Sequence, residues 1–310
     1  MAKIVVLGSI NVDFTTKVKS FPKVGETIKG NQFKISAGGK GANQAVASAK
    51  LGGEVMMVGK VGKDEYGKYL VEELQKNGVD TTYVLKEGIS GRTFINVDDN
   101  GDNTITYIAG ANNHFTKEEV NAVDFIFDKA DYLVLQQEIN MDVLKFVLEK
   151  AEEKTCKVIL NAAPCQELEE EYLELVDTLV VNEVELAFFF DKELIIDKKQ
   201  MNEMLDTLLE KGVKKIIVTL GSEGSIYKDE KDFFEIPSLK VEAKDTTAAG
   251  DTFIGAYVYA RSEGKAVHEA IQFATIVSAI VVSNEGAQSS VPTKEFVMGF
   301  IEEQRLNFDF

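Results

Sequence analysis

Histidine, cysteine and positive charge are all scarce in these 310 residues, and each shortage closes off a class of function. Two histidines, His114 and His268, cannot build an HExxH zinc site, and both read as surface or loop residues. Two cysteines, Cys156 and Cys165, flank the run KVILNAAP with neither a CxxC nor a zinc spacing. They are expected to be reduced structural thiols in a cytoplasmic protein. Lys plus Arg number 34 against 51 Asp plus Glu, a net charge of −17, which disfavours nucleic acid and anionic lipid as partners. A small ligand suits this surface better. The same field repels a polyphosphate at long range, so a nucleotide site here has to supply local donors, helix N-termini and Mg²⁺. Apolar stretches such as Ile276–Val282 fall far short of the ~20 residues that span a bilayer. The opening MAKIVVLGSINVD lacks the ~7–15-residue apolar core of a secretory leader, again an expectation of a cytoplasmic protein. No Gly-Lys pair precedes Ser or Thr as in a Walker A loop, no GxGxxG follows the first strand, and no GxSxG elbow occurs. Those gaps weigh against P-loop NTPases, dinucleotide-dependent dehydrogenases and serine hydrolases.

What is present is a βα rhythm. The runs KIVVLGSI, EVMMVGKVG, YLVLQQE, KVILNAA, TLVVNE and KKIIVTLG alternate with amphipathic segments such as Glu65–Lys76 and Asp142–Lys154. Runs apolar at nearly every position predict strands buried on both faces, hence an α/β core with a mostly parallel sheet covered by helices. Gly78, Gly212 and Gly264 each follow a helical pattern where a left-handed stop belongs. Two segments, about 14–36 and 92–109, break the rhythm. Both lean to β structure, the second around the hairpin signal Asp99-Asn100-Gly101, and together they predict a small sheet acting as a lid or a dimer contact. No linker or repeat divides the chain, so residues 1–310 read as one domain. The acidic stretch Glu167–Glu174 reads as a solvated helix face.

Three constellations can carry chemistry. Asp245-Thr-Thr-Ala-Ala-Gly-Asp251 runs into a helix beginning near Ala248, and small residues at a helix start leave N–H groups open to an anion. Asp251, in that first turn, suits a general base for a hydroxyl attacking phosphorus, or equally a carboxylate capping the helix dipole. Ala37-Gly-Gly-Lys-Gly-Ala-Asn43 lets main chain approach a ligand, while Lys40 and Asn43 donate to hydroxyls; a flexible loop is the alternative. Asn11 and Asp13 are expected to close the first strand, where parallel strands place ligand-binding groups.

The motifs GSINVD at 8–13, AGGKGANQA at 37–45, NEVE at 182–185, TLGSEG at 219–224 and DTTAAGDTF at 245–253 resemble the ribokinase family of sugar kinases, in order and through the whole chain. The wording of GGKGANQA, DTTAAGDTF and GAQSSVP at 286–292 resembles its ribose-phosphorylating members rather than fructokinases or adenosine kinases. The resemblance implies a three-layer α/β/α core with a β lid that clasps a homodimer. It implies ATP-dependent phosphorylation of D-ribose at the 5-hydroxyl. Another pentose such as 2-deoxyribose, a nucleoside acceptor, or a sugar- or nucleotide-binding regulator without catalysis are the alternatives.

Carried over by position, the resemblance implies sugar contacts at Asn11, Asp13, Gly39, Lys40, Asn43 and Glu138. Asp251 matches the base, and Ala248, Ala249 and Gly250 match the anion hole. Asn182 and Glu185 match positions that organise Mg²⁺ through water; read without the resemblance, NEVE is a helix start. Thr219, Gly221 and Gly224, with Gly250, match the ATP loops. Asp245, Thr247, Val281, Asn284, Gly286 and Ser290 match positions that hold K⁺, which implies potassium activation. Thr275 departs from the pattern, standing where family members often carry Asn or His near the adenine.

Overall fold

Alternate residues of single strands pack into two different cores, the mark of a sheet covered on both faces. The computed structural model describes residues 3–192, 197–306 and 308. In β1 (Lys3–Leu7), Ile4 and Val6 join one apolar cluster and Val5 and Leu7 the other. The same split recurs in β8 (Tyr132–Gln136), β9 (Lys157–Asn161), β10 (Thr178–Asn182) and β11 (Lys215–Thr219). With β4 (Glu54–Val61) and β5 (Asp80–Lys86), these strands make seven parallel members in the order β11-β10-β9-β8-β1-β4-β5. β12 (Ser225–Asp229) and β13 (Phe233–Ile236) extend the β11 edge antiparallel, giving nine strands.

The helices α1 (Lys40–Lys50), α2 (Glu65–Lys76), α8 (Ala249–Ser262), α9 (Val267–Val282) and α10 (Lys294–Glu303) contribute to one cluster, through residues such as Val46, Leu70, Tyr257, Phe273 and Val297. The other face is covered by α3 (Lys117–Val123), α4 (Met141–Glu152), α5 (Glu170–Leu173), α6 (Glu183–Phe188) and α7 (Lys198–Glu210), through residues such as Val120, Leu144, Leu186 and Leu205. Gly78, Gly212 and Gly264 have φ of 84°, 94° and 84°, as a left-handed stop requires. No described helix is long and apolar enough to cross a membrane. His114 and His268 are exposed, Glu169, Glu170 and Glu171 face solvent, and the two cysteines are unpaired.

A second sheet of four strands, in the order β3-β2-β6-β7, is built from β2 (Asn11–Lys17), β3 (Gln32–Gly38), β6 (Gly91–Val97) and β7 (Asn103–Ile108). Strands β6 and β7 flank the expected turn, where Asp98 Oδ1 accepts the N–H groups of Asn100 and Asp102 at 2.9 and 3.0 Å. One expectation is corrected. Asn11 and Asp13 do not close the first strand: β1 ends at Leu7, and both residues open β2, where the chain leaves the core for the small sheet. Their side chains therefore belong to the base of that sheet. Strands β5, β12 and β13, at the edges of the large sheet, carry mixed burial rather than an all-apolar run, which is why no such run announced them.

Candidate active site

Four neighbouring parallel strands end on polar residues: Gln136 opposite Asn161 on β8 and β9, and Asn182 opposite Thr219 on β10 and β11. Helices α1 and α8 start beside these ends, and the small sheet rises from the same side.

Helix α1 begins at Lys40, earlier than its apolar pattern suggested, with Gly39 at its N-cap and φ 91°. The glycines here serve packing within the protein. A Cβ on Gly39 would sit 2.8 Å from the Asn11 nitrogen, and one on Gly38 would sit 2.0 Å from Asp13 Oδ2. Only glycine lets the start of α1 lie against the base of β2. Glu138 joins them: its Oε2 accepts Ser9 Oγ at 2.6 Å, the Lys40 N–H at 3.2 Å and Asn11 Nδ2 at 3.5 Å. Tyr107 of β7 donates to the Glu138 carbonyl at 3.0 Å, tying the small sheet to the core.

Charge accumulates around this corner. Burial pushes the Asp13 carboxyl up to about 7, with Glu138 and Asp251 adding to the effect and a hydrogen bond from Thr93 opposing it. Burial also raises Glu138, against the opposing pull of Lys40. For the Lys40 ammonium burial acts downward, but Asp251, Glu138 and Glu185 together outweigh it and hold it above its ordinary value. An alkylammonium surrounded by carboxylates stays charged.

Helix α8 starts on Ala248, whose φ of 58° is left-handed. The Ala249 N–H turns back to the Thr246 carbonyl at 3.2 Å, whereas those of Gly250 and Asp251 have no partner among the described residues. A Cβ on Gly250 would meet nothing within 4 Å, and the residue lines an open cleft. Asp251 is 9% exposed and takes a side-chain donor on each oxygen: Asn43 Nδ2 on Oδ2 at 2.9 Å and Gln44 Nε2 on Oδ1 at 3.1 Å. The carboxylate thus bridges the starts of α1 and α8.

Beyond Gly250 lies a cleft of about 530 Å³. Thr219, Gly221 and Gly224 line one wall, Gly250 and Phe253 of α8 the floor, and Thr275, Ser278 and Ala279 of α9 another wall. The Thr275 hydroxyl donates to the Ile271 carbonyl at 2.9 Å, so its oxygen faces the cleft as an acceptor. Asn182 and Glu185 form the capping box of α6: Asn182 Oδ1 accepts the Glu185 N–H and Glu185 Oε2 the Asn182 N–H, both at 2.8 Å. Burial raises the Glu185 carboxyl.

Asp245 is half-buried, with Oδ1 on the Thr247 N–H and Oδ2 on the Gly286 N–H, both at 2.9 Å. Burial acts upward on it, but these bonds and nearby Lys34 prevail and hold it below the usual carboxylate range. The Val281 carbonyl accepts the Asn284 N–H, and the Ser290 hydroxyl is turned to the Ala287 carbonyl at 2.7 Å. Thus Asp245, Thr247 and Gly286 are brought into contact, and Val281 with Asn284, while Ser290 makes its bond inside its own turn.

Reasoning from sequence missed five buried or nearly buried amides. Asn112 Nδ2 donates to Asn11 Oδ1 at 2.7 Å, and Gln44, Gln136, Asn161 and Gln288 surround the pair of Asn43 and Asp251. The available signal was polar residues closing otherwise apolar strands.

The model of the pfkB family carbohydrate kinases matches residues 1–294. The chain belongs to that family. It is 36% identical over 299 residues to a ribokinase of Haemophilus influenzae, covering 96% of this chain and 97% of the relative. It is 35% identical over 295 residues to a deoxyribokinase of Salmonella typhi, covering 94% and 96%. The Arabidopsis thaliana ribokinase solved with ribose and ATP superposes with a TM-score of 0.90 at 30% identity, covering 97% of this chain and 99% of that one. In this chain Asp251 lies between the cleft beside Gly250 and the buried polar corner of Asp13, Lys40 and Glu138.

Proposed function

We propose that this kinase transfers the γ-phosphoryl group of ATP to the 5-hydroxyl of D-ribose, giving D-ribose 5-phosphate and ADP. One observation carries the reading: a buried carboxylate, Asp251, sits beside the Gly250 N–H, which has no partner among the described residues, between the Thr219–Gly224 cleft and the polar corner of Asn11, Asp13, Asn43 and Glu138. Ribose lies in the polar corner, its hydroxyls read by Asn11, Asp13, Lys40, Asn43 and Glu138, with Gly39 shaping the floor. Asp251 accepts the 5-hydroxyl proton as oxygen attacks phosphorus, and the start of α8 (Ala248, Ala249, Gly250) stabilises charge on the moving phosphoryl, chiefly through the Gly250 N–H. Adenine nucleotide occupies the cleft along Thr219, Gly221 and Gly224.

Mg²⁺, when bound with ATP, neutralises charge on the β- and γ-phosphates. Asn182 and Glu185 would hold its water shell, since Mg²⁺ sheds water reluctantly. They fit this role: the helix cap occupies Oε2 of Glu185, leaving Oε1 without a hydrogen bond among the described residues, in a setting where burial raises the carboxyl. For K⁺, the oxygen set of Asp245, Thr247, Val281, Asn284, Gly286 and Ser290 suits a hard monovalent ion. Asp245 stays anionic under its backbone donors, and an ion beside it would stiffen the loop carrying Gly250.

The small sheet also proposes a partner. Phe14, Phe33 (64% exposed), Ile35, Phe94 and Ile108 (52%) share one face of it, with Phe33 and Phe94 stacked against Phe14 and Tyr66 meeting Phe14 edge-on. An apolar sheet face of this kind is covered by a second copy in a homodimer. Light scattering at micromolar concentration should give twice the chain mass, and a monomer only would end the idea.

The test of function is ATP-dependent ADP release with Mg²⁺ and K⁺, comparing D-ribose, 2-deoxyribose, fructose, adenosine and no sugar. Release with ribose far above the others is expected. The Salmonella deoxyribokinase supports a second reading in which 2-deoxyribose leads. Equal background in every tube would favour a binding protein without catalysis.

A further inference from the structure

We propose that Gln44 is a positioning residue for phosphoryl transfer, fixing the orientation in which the Asp251 carboxylate meets the acceptor hydroxyl. The inference rests on the reading of Asp251 as the base. Gln44 is fully buried and has every polar bond assigned: Nε2 donates to Asp251 Oδ1 at 3.1 Å and to Asn161 Oδ1 at 3.2 Å, while Oε1 accepts Gln136 Nε2 at 2.7 Å. The orientation follows from groups that can only accept. Asn161 gives its Nδ2 to the Val180 carbonyl at 3.3 Å, so its oxygen faces Gln44 and Gln44 must answer with nitrogen. A flipped Gln44 would set its carbonyl against both Asn161 Oδ1 and the Asp251 carboxylate. Gln136 keeps the lock although its own Oε1 is buried without a partner among the described residues, in space left open because residue 8 is glycine. An orphaned buried carbonyl is costly, and that cost points to a role for the chain of amides beyond packing. With Gln44 on Oδ1 and Asn43 on Oδ2, the carboxylate is pinned at both oxygens and each keeps a lone pair for the incoming proton.

The charged groups facing Asp251 are Lys40 of α1, Asp13 of β2, Glu138 after β8 and Glu185 of α6. All remain in a Gln44→Met variant. Gln44→Met should lower kcat about 10- to 100-fold and leave KM for ribose within a few-fold. Gln136→Met, which unlocks Gln44 without removing it, should produce a smaller fall in kcat with KM again held, and thermal melting verifies that both variants fold. Unchanged kcat, or a KM for ribose that rises as far as kcat falls, would overturn the proposal. An Asp251→Asn control separates the premises: if that variant turns over normally the base reading itself fails, whereas a dead control with an unchanged kcat in Gln44→Met rejects only the positioning role.

Discussion

Asp245 and Asp251 stand six residues apart at the two ends of one loop, and they are held in opposite ways. Asp245 is held within its own loop and the segment after α9, by the hydroxyl and N–H of Thr247 and by the N–H of Gly286, so that two of its donors are main chain. Asp251 receives its bonds from side chains, the amides of Asn43 and Gln44 on a different helix. Backbone donors stay fixed as long as the fold does, so Asp245 works as an anchor joining the loop to the segment after α9. Side-chain amides can serve two places at once: Asn43 gives its nitrogen to Asp251 and accepts Gln288 Nε2 on its oxygen, so the carboxylate is tied to the segment after α9 through a side chain. On the proposed reading the two carboxylates of one motif divide the labour, one holding the loop and one acting at its end.

The largest expected effect tests that division directly. Asp251→Asn keeps the size and most contacts of the side chain but removes the proton acceptor, and turnover should fall about 10²–10⁴-fold. Calorimetry should still detect ribose and ATP binding. Full activity in this variant would make Asp251 a mere cap and erase the contrast.

Asp13 sharpens the comparison from a third side, because Thr93 supplies its side-chain donor and burial dominates. Its carboxyl is raised from 3.8 to about 7 in the folded chain, so the native state keeps a proton that the unfolded state loses near pH 4. Between about pH 4 and 7 the native state therefore binds more protons, and stability falls as pH rises through that window and stays lowered above it. Asp13→Asn removes the titration. At about 1.4 kcal/mol per pKa unit, the variant should be more stable than its parent by about 1–4 kcal/mol at pH 8, with the gap closing towards pH 4. Ribose affinity should drop in the same protein. Denaturation curves with identical pH dependence in both proteins would show that Asp13 is not held in its raised state.

The residues behind these predictions were unequally legible in the sequence. Six of the seven parallel strands could be read because both of their faces are apolar, as in KIVVL and KVILN, whereas the seventh, β5, and the antiparallel edge strand β13 could not, because exposed positions break the run. The carboxylates and glycines of the site were legible as local motifs. Gln44, Asn112, Gln136 and Asn161 were not, because each is meaningful only through a partner dozens of residues away: Gln44 meets Asp251 across 207 positions and Asn112 meets Asn11 across 101. The glycines carry a second purpose that the motif did not show: Gly38 and Gly39, read as openings for a ligand, also admit Asp13 and the backbone of Asn11. Chain connectivity similarly moved Asn11 and Asp13 from the end of β1 to the start of β2.

A smaller effect is expected at the anchor. Asp245→Ala leaves the base and its amides in place but frees the N–H groups of Thr247 and Gly286, which should loosen the start of α8. Turnover should fall about tenfold, equivalent to about 1.4 kcal/mol. The rate should also stop responding when K⁺ replaces an inert organic cation. If the K⁺ response persists undiminished in this variant, the ion acts elsewhere and Asp245 is only a loop anchor.

Glu185 is held at one oxygen only, on the main-chain N–H of Asn182, with the other unbonded among the described residues, and so it gives the finest test. Its motif has two meanings: a helix cap, which the geometry displays, and an organiser of Mg²⁺, which the resemblance implies. Glu185→Gln separates them, because glutamine can close a capping box as glutamate does while carrying no charge. If the cap is the whole role, stability should change by less than about 0.5 kcal/mol, the scale of a benign surface change, and the Mg²⁺ dependence of turnover should not move. If the carboxylate also orders the ion's water shell, stability should again hold, but the Mg²⁺ concentration for half-maximal rate should rise several-fold. We expect the second result, since a carboxyl raised by burial and left with an unbonded oxygen gains from a cation that the cap alone does not require.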